Sequence, residues 1–413
     1  MFFLFTSCQP KQNENTIIVW HWMTDRQPVF EELSKIYYQK TGITVRFELY
    51  APSEAYAQKV RSAAQGRNLP DIFGILGEKR EFASFIKANL ILDLTPYMEK
   101  DFSNWKNSFF PEAIMVNEFK KNNTYGVKPG VYGVPIDVMT IQLLYNKKLF
   151  EKIGLDPEKP PQDFDEFLKI GEKINDKDFL GLVSGWSEIW LIECFLTSYA
   201  INIMGYEKVI DTIKGKVSYT DSDWIKVFEL FQKMREAKLL SNDIVGMVNK
   251  TAEQIFANNK ALFAFNGSWC VNVYKTMNPK LEYGVFLPPK VNKDNPMVIR
   301  GGAGSSFMVN SASTKKEKAI EFLRWLTETE QQIYLAKATN NLPANKYSLK
   351  ELLGPLVDFL KGMEYATHPN IWEIREKAEV IEAIGSGVQL IILGKKSAKE
   401  VAEEVQRIKE RNF

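Results

Sequence analysis

The stretch VYGVPIDVMTIQLLYNKKLF, residues 131–150, decides how this chain is organised. Pro135 excludes a helix interior there and pushes Val134 towards extended geometry. Apolar residues then continue through 141–144, before a basic, helix-like segment. A complete α/β pattern precedes the stretch and another follows it. A strand that leads out of one folded unit into a second is a candidate hinge, so we predict two α/β units joined here.

The segment before this stretch alternates strand and helix patterns. Strands are predicted at residues 16–20, 43–49 and 72–76, with a helix over 53–65 between the last two. This β-α-β-α-β rhythm predicts a parallel, doubly wound sheet, and ligands bind beyond the carboxyl ends of strands in such sheets. The residues that this rule selects are His21 and Trp22 after the first strand, Tyr50 after the second, and Gly77 and Glu78 after the third.

A second proline-terminated strand and several helix-capping pairs are also predicted along the chain. The run LEYGVFLPP, residues 281–289, is extended, and we expect it to return the chain to the first unit. Paired residues three positions apart predict capped helix starts. These pairs are Thr24 with Gln27, Asp163 with Glu166, Thr251 with Gln254, Thr314 with Glu317, and Ser397 with Glu400.

Length and charge limit the class of protein. A chain of 413 residues exceeds one ordinary core and suits two domains. The formal charge of +2 and the lack of a dense basic stripe argue against nucleic acid as a partner. No stretch approaches the roughly 20 apolar residues that span a bilayer.

The first eight residues, MFFLFTSC, resemble the end of a bacterial lipoprotein signal, with Cys8 as the lipidated residue. Residues 9–15 would then form a polar tether. The alternative is a frayed apolar terminus. Cys194 and Cys270 lie in apolar, aromatic surroundings, which favours buried free thiols over a disulfide.

Catalytic motifs are absent from the sequence. It contains no G-x-S-x-G, no P-loop lysine motif and no H-E-x-x-H, and it has 2 histidines, so a zinc site is hard to build. The 51 acidic residues show no spacing that identifies a glycosidase pair. Glycines at 301–304 precede a strand, so we interpret them as letting backbone approach a bound molecule. We predict no enzyme activity, no metal and no cofactor.

Tryptophan placement carries the functional information. Five indoles lie at loops or element junctions beside glycine, serine or polar residues, whereas Trp224 and Trp325 lie in helix patterns and are expected in the core. Packing under a loop explains any single one as well as ligand contact does. As a set they indicate a sugar, whose C–H face stacks on indole rings while its hydroxyls bind polar side chains. The five are Trp22, Trp186, Trp190, Trp269 and Trp372.

A series of motifs also occurs in an order typical of one family. They are IIVWHW (17–22), TGITV (41–45), LPDIFGI (69–75), YGVPIDVMTIQLLYNKKLFEKIGL (132–155), PPQDFDEFL (160–168), ALFAFNGSW (261–269), GGAGSSF (301–307), KAIEFLRWLT (318–327) and HPNIW (368–372). From residue 16 to its C-terminus the chain therefore resembles the bacterial extracellular solute-binding proteins (family 1), the carbohydrate-binding components of ABC importers.

The resemblance implies a two-lobed α/β fold of the periplasmic-binding-protein type (type II). Each lobe would be a doubly wound sheet flanked by helices, and hinge strands would let the lobes close on a ligand without chemistry. The expected bounds are residues 1–15 for the signal remnant and tether, 16–137 plus 288–342 for the N-terminal lobe, and 138–287 plus 343–413 for the C-terminal lobe.

Residues are assigned to ligand binding from the resemblance by position. His21 could instead cap a turn, Glu78 could cap a surface helix, and Asp137 could satisfy backbone amides at the hinge. The full set is His21, Trp22, Glu78, Asp137, Trp186, Trp190, Trp269, Gly302 and Trp372.

The resemblance further implies an extracytoplasmic, lipid-anchored monomer that delivers a neutral mono- or oligosaccharide to the transmembrane permease of an ABC importer. Two alternatives stay open: a receptor for another solute, such as a polyamine or a glycerol phosphate bound near Arg300, and an enzyme acting on glycans.

Overall fold

The computed structural model describes residues 15–76, 79–99, 105–174, 179–352, 354–368, 372 and 374–411. The chain divides into two compact units. Unit 1 comprises the described residues up to Phe109 together with Asn117–Ile136 and Ser305–Thr339. Unit 2 comprises Phe110–Val116, Asp137–Gly304 and the described residues from Asn340 onwards.

Strands and helices alternate as far as Lys87, and a run of short helices and then of strands follows. In order they are β1 (Thr16–His21), α1 (Gln27–Thr41), β2 (Thr44–Leu49), α2 (Ser53–Gln65), β3 (Ile72–Phe73), α3 (Lys79–Lys87), α4 (Thr95–Glu99), α5 (Trp105–Ser108), α6 (Pro111–Asn117), β4 (Glu118–Phe119), β5 (Gly130–Val131) and β6 (Val134–Asn146).

The rest of the chain is richer in helix. Its elements are α7 (Lys147–Lys152), α8 (Phe164–Glu172), β7 (Leu180–Val183), α9 (Ile189–Met204), α10 (Tyr206–Ile213), α11 (Ser222–Glu236), α12 (Asn249–Ala257), β8 (Ala261–Gly267), α13 (Cys270–Met277), β9 (Tyr283–Phe286), β10 (Ile299–Val309), α14 (Lys316–Leu326), α15 (Thr329–Thr339), β11 (Leu342–Pro343), α16 (Pro355–Lys361), β12 (Ala366–Thr367), α17 (Ala378–Ile392) and α18 (Ala398–Arg411).

Unit 1 contains the predicted parallel sheet. Strand β1 pairs in parallel with β2 along its whole length and with β3 through Val19 and Trp20. The end of β10 then adds antiparallel to β3, with Met308 opposite Phe73. Helices α1 and α2 are the crossovers, so the β-α-β-α-β prediction is confirmed. The carboxyl ends of β1, β2 and β3 lie at one edge of this sheet because the strands run in the same direction.

Unit 2 is built around β6, β7, β8 and β9. Strand β8 pairs antiparallel with β6 and parallel with β7, and β9 pairs antiparallel with β6. Helix α9 is buried over most of its surface and packs with α10, α11 and α17. Cys194 and Cys270 are buried free thiols, as predicted. Trp224 is 3% exposed, and Trp325 in unit 1 is 4% exposed, which confirms both as core residues.

The strand predicted at residues 281–289 differs from the prediction. It was expected to return the chain to the first unit, but β9 pairs with β6 inside unit 2, with Val285 opposite Leu144. The following loop is also held there, because the Asn202 side-chain oxygen accepts from the backbone N–H groups of Val291 and Asn292. The chain enters unit 1 again only at Ser305, within β10. Residues 288–304 therefore belong to unit 2.

The predicted helix caps divide into two groups. Asp163 accepts from the Glu166 N–H, and Ser397 and Glu400 each accept from the other's backbone N–H, which confirms these two. The pairs at Thr24, Thr251 and Thr314 are wrong, because α1, α12 and α14 begin at Gln27, Asn249 and Lys316 without a side-chain cap. A tertiary contact overrides the local pattern at α12, because the Asn249 N–H donates to Glu188. At α14 the competing bond is local, because the Lys315 N–H donates to Ser313, two residues before it.

Among the described residues, no helix is by itself both long and apolar enough to cross a membrane. Helices α9 and α10 meet the length and composition criteria only as a pair, and the chain bends by 116° between them.

A buried ion pair joins the start and end of unit 1. Asp71 accepts from Lys315 Nζ at 3.0 Å and from the Ile18 N–H at 2.9 Å, and Ser313 Oγ donates to it at 2.6 Å. The Lys315 ammonium also donates to the Thr16 carbonyl. The two charged side chains are 10% and 8% exposed, so each depends on the other for compensation.

Replacing Asp71 with Asn should leave Lys315 as an uncompensated buried charge. We expect the free energy of unfolding to fall by about 3 kcal/mol. Urea denaturation followed by tryptophan fluorescence measures this loss. The control Glu54→Gln, at an exposed position of α2, should cost less than about 0.5 kcal/mol. Equal losses in the two variants would contradict a special role for the pair.

Candidate functional site

Unit 2 presents a pair of neighbouring indoles. Trp190 lies in the first turn of α9 and is 40% exposed, and Trp269 lies between β8 and α13 and is half-buried. Their ring centroids are 6.1 Å apart and the ring planes meet at 47°. The Trp269 ring lies on Gly267, because a Cβ added there would come within 2.0 Å of the ring. We call Trp190 and Trp269 the indole pair.

Two glutamates hold the indole pair from the protein side. Glu188 Oε2 accepts from Trp190 Nε1 at 3.1 Å, and Glu188 Oε1 accepts from the Asn249 N–H at 2.9 Å. The Asn249 side chain in turn donates to Glu253 Oε1 at 2.9 Å. Glu253 also accepts from the Trp269 side chain. The pair thus exposes ring surface, while its N–H groups are bound to the protein.

Glu253 is itself enclosed by unit 2. It is 6% exposed, and it accepts a third hydrogen bond from Asn266 Nδ2 at 3.0 Å. Burial raises the pKa of the Glu253 carboxyl above its ordinary value, while the hydrogen bonds from Asn266, Trp269 and Asn249 oppose that rise.

The carboxyl edge of the unit 1 sheet holds Trp22. This half-buried indole stacks at a tilt on Tyr56, with ring centroids 5.1 Å apart. A Cβ added at Gly74 would come within 2.4 Å of the Trp22 ring, so glycine is required beneath it. The Tyr56 hydroxyl bonds to the Trp20 carbonyl and to Gly74, which fixes the base of the stack. Trp22 therefore lies at the carboxyl edge of the sheet, where the sequence predicted it.

His21, the other residue predicted at the carboxyl end of β1, lies in the unit 1 core. It is fully buried, and Phe30 and Phe47 pack edge-on to it at 5.2 Å and 5.8 Å. Its Nε2 is 2.6 Å from Gln27 Oε1. Burial lowers its pKa to about 4, so the ring is neutral at pH 7. His21 is thus a core residue rather than a ligand contact, because strand alternation turns it to the face opposite Trp20.

Two of the predicted tryptophans are core residues as well. Trp186 is fully buried between Phe195 and Phe231, with ring centroids 5.3 Å and 5.7 Å away. Trp372 is 7% exposed and donates from Nε1 to Thr367 Oγ1 at 3.0 Å. Burial removes both from the set of expected ligand contacts.

The remaining predicted positions lie on β6 and β10 or outside the described residues. Asp137 is 4% exposed and pairs with Pro343 of β11. A Cβ added at Gly304 would come within 2.5 Å of Asp137 Oδ1. Gly302 has a φ of 139°, and a Cβ there would be 3.3 Å from the Glu112 carbonyl oxygen. These glycines make room for protein groups, which corrects the interpretation that they admit a ligand. Glu78 and Cys8 lie outside the described residues.

Other chemistry is sparse in the part of the chain that the structure describes. No group of three or more His, Cys, Asp or Glu side chains there could hold a metal ion. Arg300 is half-buried near Cys194. Burial raises the pKa of the Cys194 thiol to about 12, and the positive charge of Arg300 opposes that rise.

Sequence reasoning missed Glu188, Asn249 and Glu253. Glu188 could have been found, since it lies between Trp186 and Trp190, but nothing local marks Glu253.

Comparison with known proteins gives one family. Residues 32–353 match the model of the bacterial extracellular solute-binding proteins. A multiple sugar-binding protein of Streptococcus mutans is 28% identical over 63% of this chain and 59% of its own length. A melibiose/raffinose/stachyose-binding protein of Bacillus subtilis is 22% identical over 76% of this chain and 70% of its own length. The match thus spans less than two thirds of the Streptococcus protein.

Solved structures share the fold. A chitin oligosaccharide binding protein superposes with a TM-score of 0.76 at 21% identity, covering 96% of this chain and 98% of the other. The predicted α/β fold class of solute-binding proteins is therefore confirmed. At this level of identity the likeness concerns the fold alone.

The pKa of His21 predicts acid sensitivity of unit 1. Its folded-state pKa of about 4 is below the ordinary 6.5, so its stabilising effect is complete above pH 6.5 and is lost as pH falls from 6.5 through 4. We expect a loss of up to about 3 kcal/mol from this group.

Urea denaturation from pH 7 to pH 4, for the wild type and His21→Phe, measures the effect. The aromatic replacement keeps the contacts with Phe30 and Phe47 but cannot take up a proton. The unfolding free energy of the variant should fall less over this range. Parallel pH profiles would contradict the assignment of His21 to a neutral core position.

Proposed function

This chain belongs to the bacterial extracellular solute-binding proteins, and we propose that it captures a neutral mono- or oligosaccharide and delivers it to an ABC-type sugar importer. The observation that carries the proposal is the indole pair, one exposed ring and one half-buried ring whose N–H groups are bound inside the protein. The sugar-binding relatives in Streptococcus and Bacillus support it.

The indole pair suits one face of a sugar. A pyranose carries C–H groups that pack on an aromatic ring, whereas its hydroxyls need polar partners. Trp190 and Trp269 offer ring surface at 47° to each other, so a curved or two-ring ligand can contact both. We propose Trp190 and Trp269 as ligand contacts in unit 2, and Trp22 as a ligand contact in unit 1.

Binding without chemistry is part of the proposal. The relatives are solute-binding proteins rather than enzymes. Incubation with oligosaccharides should therefore leave them intact, and chromatographic detection of shorter products would contradict this. We also propose that the protein is a monomer and that its partner is the transmembrane permease of the importer.

A phosphorylated ligand is the alternative that one residue favours. Arg300 on β10 is half-buried in unit 2, and an arginine in that position could bind a phosphate. Glycerol phosphate therefore belongs in the same screen as the neutral sugars. Stabilisation by glycerol phosphate, with none by neutral sugars, would replace the sugar proposal.

Thermal unfolding against a sugar panel tests the main proposal. The panel contains melibiose, raffinose, stachyose, maltotetraose and chitin oligosaccharides. A sugar at about 100 times its Kd stabilises the native state by about 2.7 kcal/mol, which raises Tm by about 3 °C. At least one neutral sugar should produce this rise.

Truncation of the indole pair should remove the rise. Each ring face contributes about 1.5–3 kcal/mol, so Trp269→Ala and Trp190→Ala should each weaken binding of the stabilising sugar at least about tenfold. The control Tyr38→Ala removes an exposed aromatic ring from α1, at 54% exposure, and should bind normally. Calorimetric titration measures all three. Normal binding by Trp269→Ala would contradict the role of the pair.

Location and anchoring form a separate proposal. Membership of the extracellular family implies an extracytoplasmic location. We propose that Cys8 carries a lipid, which holds the protein at the membrane. Metabolic labelling with a radioactive fatty acid in a bacterial host should label the wild type, and Cys8→Ser should be unlabelled and released from the membrane fraction. Equal labelling of both would exclude Cys8 as the site.

A further inference from the structure

The indole pair is held by a continuous chain of hydrogen bonds rather than by packing alone. It runs from Trp190 to Glu188, from Glu188 to the backbone of Asn249, from the Asn249 side chain to Glu253, and from Glu253 to Trp269. Each indole N–H group therefore has its own carboxylate, and one asparagine connects the two carboxylates.

Glu253 occupies the central position behind the pair. It projects from α12 and accepts hydrogen bonds from three side chains, those of Asn249, Asn266 and Trp269. Asn266 belongs to β8, so Glu253 also ties α12 to the strand from which Trp269 emerges. At 6% exposure the side chain cannot contact a ligand placed on the ring faces.

We propose that Glu253 is a positioning residue for sugar binding: it fixes the Trp269 ring directly and the Trp190 ring through Asn249 and Glu188. This inference rests on the proposed function for its effect on binding, but not for its effect on the rings. Because the N–H groups of both indoles are already bound, the pair offers a ligand ring surface instead of hydrogen-bond donors. The arrangement favours a C–H face over a phosphate or carboxylate.

The charge state of Glu253 gives the inference a pH signature. The titratable groups that face it are Glu188 before α9, and Cys270 and Tyr274 on α13. Burial raises the pKa of Cys270 and of Tyr274, so both stay neutral, and Asn249 and Asn266 are neutral amides. Glu188 is the facing charge, and its repulsion adds to the burial that raises the Glu253 pKa.

Sugar binding and fold stability should respond to this proton in opposite directions. As pH falls through the raised pKa, Glu253 becomes a carboxylic acid with fewer acceptor positions, so ring positioning and sugar affinity decline. The folded state nevertheless binds this proton more tightly than the unfolded chain does, so the contribution of Glu253 to stability increases as pH falls. A purely structural residue would change binding and stability together.

The direct test needs no sugar. The full chain is labelled with ¹⁵N-tryptophan, and its indole N–H signals are assigned with Trp190→Phe and Trp269→Phe. In Glu253→Gln an amide offers one acceptor oxygen where the carboxylate offers two. We expect the Trp269 indole signal to shift and its hydrogen exchange to become at least tenfold faster. Glu188→Gln should do the same to the Trp190 signal. An unchanged Trp269 signal in Glu253→Gln would overturn the inference.

Binding of raffinose, or of the panel sugar with the largest thermal shift, supplies the second readout. Glu253→Gln should weaken it at least tenfold at pH 7 with Tm unchanged or raised, and should abolish the decline in affinity at acid pH. The matched control Glu382→Gln, exposed on α17, should keep wild-type binding and indole signals. Normal affinity in Glu253→Gln would overturn the inference. Absence of any sugar binding in the wild type, with the Trp269 signal still responding, would count against the proposed function alone.

Discussion

The backbone of β6 must find hydrogen-bond partners inside the protein, and this requirement organises unit 2. Every residue of the strand except Met139 is buried, so water cannot satisfy its N–H and C=O groups. Strand β8 pairs with it through Ile141–Tyr145 and β9 pairs with it through Leu143–Asn146. The register of β8 follows from this pairing, and Asn266 and Gly267 are fixed at its end. Trp269 emerges from that end, so the position of one indole depends on a backbone ladder.

Side-chain chemistry completes what the ladder begins. A tryptophan beside a glycine has room to lie flat, but space alone does not choose its angle. The carboxylate of Glu253 does so by accepting from the Trp269 side chain, and Glu188 does the same for Trp190. Burying a carboxylate costs free energy unless several donors compensate it, and Glu253 has three. The arrangement exchanges stability for a defined ring orientation, as buried polar groups at binding sites often do.

Local sequence pattern predicted the elements well and the environment of single residues poorly. The β-α-β-α-β rhythm predicted the parallel sheet of unit 1, because periodicity reports which face of each element is apolar. It could not separate Trp186 from Trp190, four residues apart in similar surroundings, since Phe231 comes from a distant helix to bury Trp186. His21 and Trp22 are neighbours in sequence, yet only Trp22 is partly exposed. Glu253 was beyond reach for a related reason: two of its three partners, Asn266 and Trp269, lie outside its own helix, in β8 and just after it.

The ion pair of Asp71 with Lys315 has a consequence for the order in which the chain can fold. These residues are separated by Phe110–Val116 and Asp137–Gly304 of unit 2, and Met308 and Val309 of β10 complete the edge of β3 from the same late segment. A chain that emerges from the ribosome N-terminus first therefore lacks a finished sheet in unit 1 until most of it has been synthesised. Closing so long a loop is slow because of its entropy. During that delay β3 lacks its partner strand β10, and the Asp71 carboxylate lacks its Lys315 ammonium.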